Sequence, residues 1–168
     1  MQDAANTSSV VAGLTHKSSG AAGILAGVTQ HEPHMIVDAM NVIGSRPTGW
    51  WRDRPGAIRE FVARLRAYAD HHETPVTVVI DGRPLPDLPE GQYGYLEVCY
   101  ARRAGANAAD DRIVDMVREL QNTAHVITAD RDLRDRVHAL SATTAGPRTL
   151  LQALDELDAP GDRDQSIR

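Results

Sequence analysis

Short apolar runs alternate along this chain with stretches of helical periodicity. Met35 to Ile43 is apolar except for Asp38 and Asn41; Pro75 to Ile80 ends at Asp81-Gly82; Leu96 to Tyr100 and His125 to Thr128 follow. Runs this short, without a polar alternate face, predict buried strands. Between them Ile58, Phe61, Val62, Leu65 and Tyr68 keep helical spacing, as do Ile113, Val114, Val117 and Leu120, and then Leu133, Val137 and Leu140. A short strand at Thr143 to Ala145 and a helix from Pro147 to Leu157 complete the pattern. Strands apolar on both faces and separated by helices imply an α/β domain with a mostly parallel sheet covered on both sides.

This pattern occupies residues 35–157. Residues 1–34 are rich in Ala, Gly, Ser and Thr and are expected to form a flexible extension, with Met35 a candidate start; residues 158–168 read as a flexible tail. Two long loops are expected, Gly44 to Pro55 carrying Trp50-Trp51 among arginines, and Gly82 to Gly94, dense in Pro and Gly.

Composition narrows the picture. With 168 residues, 42% of them hydrophobic, the chain can build one core. The single Cys99 excludes an internal disulfide, and no apolar run approaches the roughly 18 residues of a membrane span, so a cytoplasmic protein with no membrane partner is expected. A net charge of −5 argues against holding nucleic acid by bulk electrostatics. Every basic side chain except Lys17 is Arg, and Arg46, Arg52, Arg54, Arg83, Arg102 and Arg103 offer a local basic rim; for the helical Arg59, Arg64 and Arg66, a GC-rich genome writing Arg in place of Lys is the better explanation.

Asp38 is the most informative position, because it interrupts a buried strand where an unpaired charge is costly and where a helix-capping role is not expected. It calls for a cation or a strong donor. Asn41 sits where the run ends, either as a ligand for water or phosphate or as a turn-forming Asn. Asn107-Ala108-Ala109-Asp110-Asp111 opens a helix and resembles a capping box, yet Asp110 shares a face with Ile113, Val114 and Val117 and points inward, with Asp111 nearer the rim. Asp130 alone would be an ordinary N-cap, but like Asp38 it follows a strand, and open α/β sheets bind ligands beyond the carboxyl ends of their strands. Asp81-Gly82 reads as a turn. With no basic partner at motif spacing, converging carboxylates require a cation, and oxygen-only ligands favour Mg²⁺ or Mn²⁺. Such an ion suits phosphodiester hydrolysis.

Other chemistries are poorly represented. Gly13 to Ser18 lacks the glycine before Lys17 and the preceding strand of a phosphate loop; there is no Gly-x-Ser-x-Gly, and His71-His72-Glu73 lacks zinc-helix spacing. Asp38 has no second Asp two residues on, as an aspartyl-phosphate phosphatase would need.

Taken in order, Asp38-Ala39-Met40-Asn41-Val42-Ile43-Gly44, Asp81-Gly82, Asn107 to Ile113 and Thr128-Ala129-Asp130-Arg131 resemble the NYN (YacP-like) branch of the PIN-like nucleases over about Met35 to Leu157. The resemblance implies a three-layer α/β/α, Rossmannoid fold and a metal-dependent ribonuclease, most simply an endoribonuclease, acting on RNA that is free or ribosome-associated. It further implies Asp38, Asp110 and Asp130 as metal ligands, with Asn41 and Asp111 assisting. Ala39 stands where Gly is usual in the family, and Ala129 where Ser commonly precedes the Asp. Arg46, Trp50, Trp51, Arg52 and Arg54, in the loop after the Asp38 strand, are expected to hold RNA by phosphate pairing and base stacking, at least one Trp packing down on the domain. The competing expectations are an RNA- or ribosome-binding module with little catalysis, and a phosphohydrolase of another substrate class.

Overall fold

The computed structural model describes residues 33–101, 107–120 and 123–159. The expected extension and tail, and Arg102 and Arg103, therefore lie outside the described residues, apart from Pro33, His34, Asp158 and Ala159, and His34 belongs to the first strand rather than to the extension. The elements run β1 (His34–Asp38), α1 (Ala39–Gly44), a 3₁₀ turn at Trp50–Arg52, α2 (Arg54–His72), β2 (Val76–Asp81), β3 (Gly91–Tyr93), β4 (Leu96–Ala101), α3 (Ala108–Leu120), β5 (Ala124–Ile127), α4 (Arg131–His138), β6 (Thr143–Ala145) and α5 (Pro147–Asp158).

One six-stranded sheet has the order β3-β4-β2-β1-β5-β6, and every pairing is parallel except β3 with β4. The period of two along each strand divides the core into two layers. Val37, Val78, Ile80, Val98 and Tyr100 face Phe61, Leu65, Leu150 and Leu154 of α2 and α5, together with Val42 and Ile43 of α1. Ile36, Val79, Cys99 and Val126 face Ile113, Val117, Leu133 and Val137 of α3 and α4. The fold is therefore the three-layer α/β/α arrangement expected from the pattern. Among the described residues no helix is long and apolar enough to cross a membrane.

The chain leaves β1 for β2 and β4 on one side, then returns through α3 to β5 and β6 on the other. The order thus reverses about β1, and the carboxyl ends of β1 and β5 bound the point where ligands collect in open parallel sheets.

Three local expectations are corrected. The run Met35 to Ile43 is not one strand: β1 stops at Asp38 and the chain turns at once into α1, a helix short enough for its three buried residues, Ala39, Val42 and Ile43, to resemble continued strand. Asp53 accepts from the Gly56 amide at 2.9 Å, and with Pro55 in the first turn it starts α2 at Arg54, which shortens the first long loop. The Gly82 to Gly94 segment contains β3 and is pinned from beneath by Tyr100, whose hydroxyl donates to Leu88 O at 2.8 Å and accepts from the Leu85 amide at 3.3 Å.

Candidate active site

Strand alternation decides which acids can meet. Ile36 and Val79 belong to the layer under α3 and α4, so Asp38 and Asp81, two residues further along β1 and β2, point to that same face. Asp110 lies in the first turn of α3, which covers that face. Asp130 follows β5 and begins α4, which covers it too. The sheet thus brings three of the sequence-predicted acids together, and adds Asp81.

Asp38 is 6% exposed. Contrary to expectation it is a helix cap: its Oδ1 accepts from the Asn41 amide at 3.1 Å, which starts α1. Its Oδ2 accepts from the Thr128 hydroxyl at 3.3 Å. These two donors do not offset desolvation, which is the largest influence and, with the charges of Asp110 and Asp81, pushes the pKa up to about 6. Asp110, half-buried, is also raised, first by burial and then by the charge of Asp130, with smaller contributions from Asp81 and Asp111. Asp130 is the N-cap that its position suggested, its Oδ1 accepting from the Leu133 amide at 3.0 Å, and it acts electrostatically on Asp110 as well. The two roles coexist because a carboxylate has two oxygens.

Thr128 and Asn41 hold this arrangement together. The buried Thr128 Oγ1 accepts from the Asp130 amide at 3.1 Å while donating to Asp38, so one hydroxyl spaces the two acids. Asn41 Oδ1 accepts from the Ala129 amide at 2.7 Å, tying α1 to the connection after β5. With the carbonyl oxygen engaged, its Nδ2 is left as a donor, which suits a phosphate oxygen or a water. Thr128, expected as the end of a strand and as part of the family motif, faces the acids as well, and its alternation with Val126 is the signal.

The expectation that the acids lack a basic neighbour is also corrected. Arg136 of α4 donates to Asp111 Oδ1 at 2.6 Å on the rim and draws the Asp110 pKa partly back down. It arrives from a helix 25 positions away, beyond any motif spacing. Arg54 donates to the Asp81 backbone carbonyl at 2.9 Å, which places its guanidinium at the end of β2. Asp81 is followed by Gly82 at φ +109°, so the turn reading and a place in the acid cluster both hold.

The expected RNA-holding residues separate. Arg54 stands beside the acids. Arg46 instead pairs with both carboxylate oxygens of Asp155 on α5. Trp50 is partly buried against the first core layer, whereas Trp51 is 60% exposed and meets it edge to face at 6.2 Å. Arg52 and Arg83 are exposed. A cavity of about 460 Å³, lined by Tyr100, Ala101, Asp111, Arg112 and Asp115 among others, flanks the acids on the α3 side.

Comparisons with known proteins bear on the fold and the family. No curated protein matches the chain. Two crystal structures of Rae1 (YacP) from Bacillus subtilis are similar in fold. One, of a tryptophan-to-leucine variant, has a TM-score of 0.61 at 21% identity, covering 75% of this chain and 77% of that one. The other has a TM-score of 0.60 at 23% identity, covering 74% and 75%. The profile of the YacP-like NYN domain matches residues 35–167. The chain therefore belongs to the YacP-like NYN domain family, a nuclease-type, PIN-like family whose function is tied to RNA.

Proposed function

We propose that this domain is a divalent-metal-dependent ribonuclease that cleaves RNA internally. The observation that carries the reading is Asp38: a carboxylate 6% exposed, at a strand end, whose pKa is pushed up to about 6 by burial and then by the charges of Asp110 and Asp81. Such a group is unfavourable as an anion unless a cation joins it. Among the described residues no three His, Cys, Asp or Glu side chains close into a ready-made cage. The donors on offer are carboxylate oxygens, which suit Mg²⁺ or Mn²⁺, bound through one or two carboxylates with several waters retained, better than Zn²⁺, whose sites are built chiefly on His and Cys.

On this reading Asp38 and Asp110 hold the ion and Asp130 completes the site. When bound, the ion polarises a phosphoryl oxygen and lowers the pKa of an attacking water. The remaining work falls to the chain. Thr128 and Asn41 fix the spacing of the acids, and Asn41 Nδ2 donates to a phosphate oxygen. Asp111, held by Arg136, assists at the rim. Arg54 meets a flanking phosphate, and the exposed Trp51 stacks on an unpaired base. The buried lone Cys99 suits a reducing cytoplasm.

The same loosely spaced acids favour a second reading, an RNA- or ribosome-binding module with little catalysis. The test is incubation of the protein with single-stranded, structured and ribosome-associated RNAs blocked at both ends, with millimolar Mn²⁺ or Mg²⁺ and again with EDTA. Internal cleavage that EDTA abolishes is the expected result. RNA binding without cleavage under any of these conditions favours the second reading.

A further inference from the structure

A second cavity, of about 320 Å³, lies between the end of α1 and the start of α5, lined by Ser45, Arg46, Ala129, Pro147, Arg148 and Leu151. Pro147 and Leu151 are buried and give it an apolar floor. Its two guanidinium groups are not equivalent. Arg46 is committed to Asp155, whose pKa is held at about 2, chiefly by hydrogen bonds from Arg46 and then Arg64, so the pair persists at neutral pH. Arg148 is exposed and has no hydrogen bond or ion pair among the described residues.

The cavity also shares a wall with the acid site. Ala129 lies between Thr128 and Asp130, and its amide donates to Asn41. A strand whose phosphate reaches the acids can continue over this connection, from the α4 side of the sheet to an apolar recess and an uncommitted cation on the α5 side. An acidic protein with net charge −5 must hold a polyanion through local features of this kind.

We infer that this cavity seats one nucleotide of single-stranded RNA next to the phosphate at the acids. The face of its base lies on Pro147 and Leu151, and its phosphate is met by Arg148. The Arg46–Asp155 pair forms the fixed side wall and leaves Arg148 to bind. This inference rests on the ribonuclease reading and adds a subsite to it. Arg148 carries no sequence signal of its own, standing in the first turn of the last helix far from any motif.

The test is fluorescence anisotropy of a labelled single-stranded RNA in EDTA at two salt concentrations, with the parent protein and with Arg148→Ala, Arg148→Lys and Arg148→Glu. Arg148→Ala is expected to bind about fivefold more weakly at low salt and to reduce the salt slope by about one. Arg148→Lys keeps most of the affinity, and Arg148→Glu loses more than Arg148→Ala. In a second arm each nucleotide in turn is made abasic. The parent should lose affinity at one position, and Ser45→Phe, which fills the mouth of the cavity, should abolish that dependence. If Arg148→Ala and Arg148→Glu bind like the parent while Trp51→Ala binds more weakly, the subsite is wrong and the ribonuclease reading stands. If the parent binds no RNA in EDTA and neither binds nor cleaves it with Mn²⁺, both fall.

Discussion

Two carboxylate clusters sit on opposite faces of this sheet and have been treated in opposite ways. On the α1, α2 and α5 side, Asp155 receives Arg46 and Arg64, and Asp158 receives Arg64 at 2.5 Å. Hydrogen bonds from these arginines hold Asp155 at a pKa of about 2. On the α3 and α4 side, Asp38 is buried, faces acids and rises to about 6. The first cluster is complete: its charges are matched and solvated, and it does little more than orient helices. The second is incomplete, because among the described residues Arg136 is spent on Asp111 at the rim and Arg54 on the backbone carbonyl of Asp81. On the proposed reading, the acids that arginine does not neutralise are the ones that take a cation.

The largest effect expected from this contrast is on cleavage. Asp110→Asn should lower the rate by at least about 100-fold, since the amide keeps the shape but cannot serve as an anionic ligand. Asp155→Asn should leave the rate within about twofold. Rates on one RNA at saturating Mn²⁺ compare the two, and equal losses would erase the distinction.

Next comes stability in metal-free buffer. The folded-state pKa of Asp38 lies above its unfolded value, so its contribution is fully present below about pH 4 and is lost as pH rises through about 6. Asp38→Asn should therefore be more stable than the parent at pH 8, on the order of 1–3 kcal/mol, and the gap should close near pH 4. Urea denaturation at the two pH values, with EDTA, reads this directly. A variant less stable than the parent at pH 8 would mean that Asp38 serves mainly as the cap of α1.

The adjacent tryptophans give the smallest contrast. Trp51→Ala should cost about 1–3 kcal/mol in single-stranded RNA affinity with little change in melting temperature. Trp50→Ala, which removes a ring packed on the core and lying 3.7 Å from where a Gly44 side chain would begin, should lower the melting temperature instead. Reversal of the two effects would put the stacking platform at Trp50.

Much of this was legible in the residues. Apolar runs and helical spacing locate β1, β2, β4, β5 and β6 and all but the shortest helix. Period two, carried from Ile36 to Asp38 and from Val126 to Thr128, already turns these groups toward α3 and α4. The misreading at Met40 to Ile43 has a physical cause: six residues of helix with three of them buried give no period that separates them from strand. Asp81 was set aside because Gly82 explains it locally; that β2 lies beside β1 is a property of sheet order, which the residues do not display. Arg136 and Thr128 were missed for the same reason, since each acts across elements. Ala129 has no side-chain donor, yet it anchors the site through the backbone, because its amide reaches Asn41.

On the proposed reading, the α3-side acids form a cation site and the α5-side acids do not. Titration calorimetry of Mn²⁺ into the parent, Asp38→Asn and Asp155→Asn proteins, all checked for folding, tests it most directly. The parent and Asp155→Asn should bind with equal affinity, and Asp38→Asn should show no binding at millimolar Mn²⁺. Unchanged affinity in a folded Asp38→Asn protein would contradict the account.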